Sequence, residues 1–284
     1  MLNYGLILLS TLMFSLMFFF NQTFQKSYGG GLRAALLFSA GTGIAGLLVL
    51  MIINGFAIEY THFTLIMATL NALNGLAFTF CSLKALGKIN LSLYSLFSML
   101  GGMALPFVVG IIFYNEPLTW GKGVCFAIIT LALLLTVEKG SGRGGLIYYV
   151  GIFTLNGMSG VLSKIFVDAP YEKASDAGYT ILCALVTVVL SLLILLIIRP
   201  EKKRITPMAI LSMAGNGILC RVGNWILLIT LATLPASAQY PFVTGGTMIL
   251  STLICFFTPN KPSKREIAAV ILSFIGLLVL VFIP

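Results

Sequence analysis

Apolar residues in this chain fall in long unbroken runs, with polar residues collected in short breaks between them. Ten such runs are read near 2–23, 32–54, 63–86, 91–113, 118–137, 144–167, 175–198, 206–232, 236–257 and 266–283. The breaks carry helix-ending chemistry: Gly29-Gly30-Gly31, Asn54-Gly55, Asn115-Glu116-Pro117, Gly140 to Gly145, Ala169-Pro170, and Arg199-Pro200 followed by Glu201 to Arg204. A helix needs about 20 apolar residues to cross a bilayer core, and most runs reach that length. The alternating segments of about ten residues that build a membrane barrel are missing. The pattern predicts an all-α membrane protein of about ten transmembrane helices. No basic residue precedes the first run, as the charged region of a cleavable signal peptide would require, so it is read as a retained span.

Composition agrees. Of 284 residues, 59% are apolar and 9% charged, whereas a water-soluble domain carries about 25% charged residues. The net charge of +9 raises a nucleic-acid partner, but the basic residues sit in short connections between spans and form no basic face. Connections 1–2, 3–4, 5–6, 7–8 and 9–10 hold Lys26, Arg33, Lys84, Lys88, Lys139, Arg143, Arg199, Lys202, Lys203, Arg204, Lys261, Lys264 and Arg265. The opposite side offers little beyond Lys122 and Lys173. By the positive-inside rule the odd-numbered connections lie in the cytoplasm and both termini outside; the short loops fit a bacterial inner membrane. Cys81, Cys125, Cys183, Cys220 and Cys255 lie inside apolar runs without metal-ligand spacing, beside a single histidine, His62. No disulfide framework, metal or cofactor is expected.

The second half echoes the first. Gly5-Leu6-Ile7 returns as Gly145-Leu146-Ile147, Asn71 as Asn216, Gly101-Gly102 as Gly245-Gly246, and Asn115-Glu116-Pro117 as Asn260-Lys261-Pro262, at offsets from 140 to 145. Five spans per half is an odd number, so residues 1–140 and 141–284 would insert with opposite orientations, as inverted repeats do in secondary transporters.

Tyr114-Asn115-Glu116-Pro117-Leu118-Thr119, with Gly121 and Gly123 after it, resembles the Glu-then-Gly feature at the fourth and fifth spans of the drug/metabolite transporter superfamily, in particular its ten-helix EamA-type members. The second copy departs, with Lys261 in place of the Glu, though Ile275-Gly276-Leu277-Leu278 keeps a family-like ending. Asn156 to Lys164 resembles the small motif ending in Lys that marks the family's first and sixth spans, while Phe18 to Lys26 matches it poorly. The resemblance covers nearly the whole chain. It implies two five-helix halves and export of small solutes that range from amino acids, nucleosides and sugars to cofactors and drugs.

Arg221 stands out among candidate site residues. It lies fifteen and eleven residues from the ends of its run, too deep to reach the interface, and a charge at that depth costs about 3 kcal/mol or more. It must face the bundle or a wet cavity. There it either binds backbone carbonyls or anchors a carboxylate or phosphate through its planar fork of donors. Gly217, Arg221 and Asn224 share a helical face, with Trp225 one turn from Arg221. Asn71 and Asn74 share a face of the third span. Each Asn alone reads as interhelical glue, worth about 0.6 kcal/mol; as a group they lean towards a site. Asn156, Gly160, Ser163 and Lys164 share another face, with Lys164 near enough to its span's end to snorkel. Gln239 and Tyr240, with Thr244 and Thr247, and Tyr94 with Ser98, are weaker candidates. Pro106 should kink the fourth span beside Gly101-Gly102.

All eight acids, Glu59, Glu116, Glu138, Asp168, Glu172, Asp176, Glu201 and Glu266, fall at span ends or in loops. Proton-coupled export of cationic drugs usually uses a buried carboxylate. The expectation is therefore a secondary transporter, exporting or exchanging a small polar metabolite such as an amino acid, nucleoside or organic anion by alternating access. Its cavity would be lined by spans 1, 3, 4, 6, 8 and 9. A multidrug exporter, a membrane-embedded enzyme and a receptor or channel are the alternatives. Partners would be the bilayer and the solute, not nucleic acid; a homodimer is left open.

Overall fold

A computed structural model describes residues 2–88, 91–135, 143–198, 204–256 and 263–283. Among them the chain is all helical: α1 Leu2–Tyr28, α2 Leu32–Ile53, α3 His62–Leu86, α4 Leu91–Tyr114, α5 Trp120–Leu135, α6 Arg143–Asp168, α7 Asp176–Ile197, α8 Pro207–Leu231, α9 Ala236–Phe256 and α10 Lys264–Phe282. Of these ten, α1 to α4 and α6 to α8 are long and apolar enough to cross a bilayer. The protein is an α-helical integral membrane protein. The connections holding Glu138, Lys139, Gly140, Arg199, Glu201, Lys202, Lys203, Asn260 and Lys261 lie outside the described residues, as do the side chains of Arg143, Cys255 and Glu266.

Helix starts follow local chemistry. Thr61, Ser175 and Thr206 accept from the backbone N–H three residues on, at 3.1 Å, 3.1 Å and 3.2 Å, and Pro207 occupies the first turn of α8, where its missing N–H costs nothing. α1 runs to Tyr28 rather than ending near 23, because Gln25, Lys26 and Ser27 continue the helix past the apolar stretch. Gly29, at φ 96°, ends it and returns its N–H to Gln25 O at 2.8 Å, a left-handed stop suited to glycine.

Contacts at the helix ends sort into two faces. On one, Asn3 meets Thr233, Glu59 accepts from Ser175 N, Glu116 accepts from Ala236 N and Ser237 N, and Gly121 sits against Ile283. On the other, Gly30 approaches Leu83 O, Gly87 approaches Gln25, and Lys88 lies over Tyr148. Successive helices therefore run antiparallel, with both termini on the first face.

The dominant packing pairs are α1–α8, α3–α6, α4–α6, α1–α9, α2–α7, α2–α8, α3–α7, α4–α9 and α5–α10. Small residues set the closest crossings. A Cβ on Gly101 would come within 1.9 Å of Phe153 O, and one on Gly217 within 2.2 Å of Thr42 O, so helix backbones touch there as lipid-embedded helices do at small residues. α4 contains Pro106 as expected, and α9 contains Pro241. Gly160 leaves the space that Pro106 and the Tyr240 ring occupy.

Candidate functional site

A cavity of ≈ 220 Å³ opens inside the bundle, lined from α1 to α4 and α6 to α9. The expected lining of spans 1, 3, 4, 6, 8 and 9 thus gains α2, through Ser39 and Thr42, and α7, through Tyr179 and Thr187. Phe14, Phe18, Phe38 and Phe78 supply apolar wall, and asparagines supply most of its amide chemistry. Among the described lining residues Arg221 is the one that carries a full charge.

The 3.6-residue period of α8 brings Gly217, Arg221 and Asn224 onto the cavity together. Arg221 is half-buried. Its stem lies on α2, where a Cβ at Gly46 would come within 2.3 Å of its Cγ, and its Nη2 donates to Thr187 Oγ1 at 3.3 Å. No carboxylate pairs with it among the described residues. Beside Thr187 on α7, Tyr179 stacks on Phe166 at 4.0 Å between centroids and accepts from Asn71 Nδ2 at 2.9 Å. Ser159 on α6 then donates to Asn71 Oδ1 at 3.4 Å.

The remaining asparagines tie helices together through their amide nitrogens. Asn74 Nδ2 donates to Leu155 O at 2.8 Å, Asn156 Nδ2 to Ser98 O at 2.6 Å, and Asn216 Nδ2 to Met17 O at 3.1 Å and Asn21 Oδ1 at 3.2 Å. Asn224 Nδ2 donates within its own helix to Cys220 O at 2.7 Å. Asn71, Asn74, Asn156 and Asn216 thus join helices while lining the cavity, whereas Asn224 lines it with a bond inside α8. Cys183 and Cys220 also line the space.

Six expected residues stay out of the lining, Ser98 and Thr247 among them, both fully buried. Tyr94 is fully buried, donating to Ser82 Oγ at 3.0 Å with its ring edge-on to Phe18 at 5.5 Å. Gln239 is fully buried and donates to Leu227 O at 2.9 Å, so it joins α9 to α8. Trp225 is half-buried and lies outside the cavity lining, on the side of Arg221 opposite to Gly217 and Asn224 round the helix. Lys164 is not snorkelling: its Nζ lies 3.0 Å from Glu116 Oε1 and 2.9 Å from Asp168 Oδ2, with side-chain exposures of 8%, 8% and 28%.

Glu116 is the centre of a closed contact on the terminus face. Asn115, at φ 51°, turns the chain back after α4, a conformation that Asn tolerates better than most residues. Glu116 N then donates to Gly110 O at 3.1 Å, and the carboxylate receives Ala236 N at 3.1 Å and Ser237 N at 2.9 Å at the start of α9. Burial pushes this carboxyl up, but the Ser237 donors and Lys164 outweigh burial and hold it below its ordinary value. One carboxylate thus joins the α4–α5 connection, α6 and α9.

Missing from the sequence reading were Asn21, Tyr179 and Thr187. Asn21 and Thr187 are single polar residues inside apolar runs, a weak signal that gained meaning only from the helices opposite. Among the described residues no cluster of metal-ligating side chains occurs.

No model of a known protein family and no curated protein matches this chain. Among solved structures it is similar to a protein crystal structure at a TM-score of 0.66 and 16% identity, over 95% of each chain. That likeness is one of fold.

Proposed function

We propose that this protein is a ten-span secondary transporter of the drug/metabolite transporter superfamily, EamA type, moving a small polar metabolite with a carboxylate or phosphate by alternating access. The observation that carries the reading is Arg221: a guanidinium facing the cavity, deep in its span, with a hydroxyl for partner and no carboxylate among the described residues. A charge so placed marks a substrate path, and its planar donors match an anionic group. The cavity's ≈ 220 Å³ lies below the 300–1,000 Å³ or so of drug-sized sites, which favours a metabolite over a bulky drug.

Inverted repetition is supported by the packing. Exchanging each helix with the one five later converts α1–α8 into α6–α3, α2–α8 into α7–α3 and α1–α9 into α6–α4, and returns α2–α7, α4–α9 and α5–α10 to themselves; all are observed pairs. Met17 O on α1 and Leu155 O on α6 each accept from an asparagine of the facing helix, Asn216 on α8 and Asn74 on α3. Rocking of such halves about a midplane site is how inverted-repeat transporters alternate access.

Orientation follows the charges. Lys26, Arg33, Lys84, Lys88, Arg204, Lys264 and Arg265 fall on one face, while Glu59, Glu116, Asp168, Glu172 and Asp176 fall on the face of the termini. The basic face is read as cytoplasmic and the termini as outside, in a bacterial inner membrane.

The test is solute flux in proteoliposomes of purified protein, with a broad panel of metabolites. Saturable flux abolished by Arg221→Ala supports the reading. Absence of flux for every solute, or large unsaturable conductance, overturns it.

A further inference from the structure

The asparagines of the cavity are oriented by their partners. A backbone carbonyl only accepts hydrogen bonds, so an Asn that bonds to one must turn its NH2 towards it and its amide oxygen away. Leu155 O, Ser98 O and Cys220 O fix Asn74, Asn156 and Asn224 in this way. Each of the three lines the cavity, and no donor among the described residues reaches its oxygen. Asn74 and Asn156 are neighbours, since Asn74 bonds the carbonyl of the residue before Asn156. Asn224 lies three residues from Arg221 on α8, so its oxygen reaches the cavity from beside the guanidinium.

The cavity is therefore polarised. Arg221 on α8 offers donors, and Asn74 on α3, Asn156 on α6 and Asn224 on α8 offer neutral acceptors. A simple anion would satisfy Arg221 and leave three amide oxygens unmet in a low-dielectric site, where an unmet polar group costs most. We propose that the cavity is a binding site for a free amino acid, its carboxylate on Arg221 and its ammonium on the oxygens of Asn74, Asn156 and Asn224. An ammonium brings three donors and no acceptor, which matches three oxygens and no carboxylate. The phenylalanines of the wall take the side chain. This deepens the transporter reading and rests on the cavity being its solute site, yet it is a statement about binding and is tested without flux.

The experiment is thermal stabilisation and calorimetric titration of the detergent-purified protein with the twenty common L-amino acids and a few ω-amino acids. Each binder is compared with its amide, which lacks the carboxylate, and its hydroxy acid, which lacks the ammonium. At least one amino acid should bind, with both analogues weaker by about tenfold or more, the loss expected for a charge-assisted hydrogen bond. Asn224→Ala removes only a bond within α8, so the variant should fold. It should lose affinity for the amino acid several-fold and leave that for the hydroxy acid unchanged. A hydroxy acid or inorganic phosphate that binds as tightly as the best amino acid overturns the ammonium subsite. So does stabilisation by sodium chloride over choline chloride that accounts for the whole shift, which would give the oxygens to an inorganic cation. If no amino acid binds, the proposal fails. Flux of some other solute would still uphold the transporter reading, whereas amino-acid binding without flux would uphold the site and remove the transporter.

Discussion

Asn216 on α8 and Asn21 on α1 meet at 3.2 Å, amide nitrogen to amide oxygen, in the wall of the cavity. Across the bundle, Ser159 on α6 reaches Asn71 on α3 at 3.4 Å. These two cross-links hold α1 to α8 and α3 to α6, and each consumes polar groups that would otherwise stand unpaired. Replacing Asn216 by Leu should destabilise the protein by about 1 kcal/mol, in the range of membrane hydrogen bonds, and Asn71→Leu by a similar amount. Thermal unfolding in detergent measures both; a loss confined to one of them would argue that the two cross-links are not equivalent.

Arg221→Ala should weaken binding of any anionic solute by about tenfold or more, the effect of losing a hydrogen bond to a charged group. Arg221→Lys should recover only part of it, because a lysine ammonium lacks the planar fork. Titration of the purified variants checks this, with size-exclusion profiles to confirm that they fold.

Gly46→Ala should reproduce much of the Arg221 defect without altering the arginine. The added Cβ would fall 2.3 Å from Arg221 Cγ and 2.8 Å from Gly217 O, so either the arginine stem leaves its slot or α2 and α8 separate. Overpacking of this kind costs about 1–3 kcal/mol. The expected result is a lower unfolding temperature together with weaker solute binding; normal affinity would show that the guanidinium keeps its place.

The Glu116–Lys164 contact should respond to pH in one direction. Its carboxyl is held below its ordinary value, so the stability it contributes is present above the unfolded value, near 4.5, and is lost as pH falls through the lower folded value. Glu116→Gln should flatten that acid limb. Because it leaves Lys164 with Asp168 alone in a poorly solvated place, it should cost about 2–4 kcal/mol at pH 7. Unfolding temperature against pH for the wild type and Glu116→Gln is the measurement; parallel curves would sink the assignment.

Cys183 and Cys220 line the cavity and serve as built-in reporters. An impermeant thiol reagent applied from the terminus face should label them slowly in the wild type, where Glu116 binds α9 and Lys164 together, and several times faster in Glu116→Ala. Mass spectrometry of the two cysteine peptides gives the rates. Equal rates would show that this contact does not close the cavity on that side.

Much of the fold was legible in sequence because hydrophobic length and breaking residues act locally: the helices begin and end within a few residues of the apolar runs. The exception at α1 has a physical cause, since Gln25, Lys26 and Ser27 leave the apolar zone without leaving the helix. For the site, depth in the membrane singled out Arg221, and helical phase brought in Gly217, Asn224, Asn71, Asn74 and Asn156. Phase could not tell which helix a face meets. Gln239 and Tyr94 therefore read as site residues although they are spent on Leu227 O and Ser82, and Lys164 read as a surface lysine or a ligand although Glu116 takes it. Thr187 went unnoticed because its role exists only through Arg221, 34 residues away.

The slot at Gly46 has one more consequence. A guanidinium this deep is tolerable only where the opposite helix has no side chain at the point of crossing, so a lineage that lost the glycine would be pressed to lose the arginine too. Two letters 175 apart in the sequence are thus tied by one contact, and wherever the arginine is kept the glycine is its expected companion.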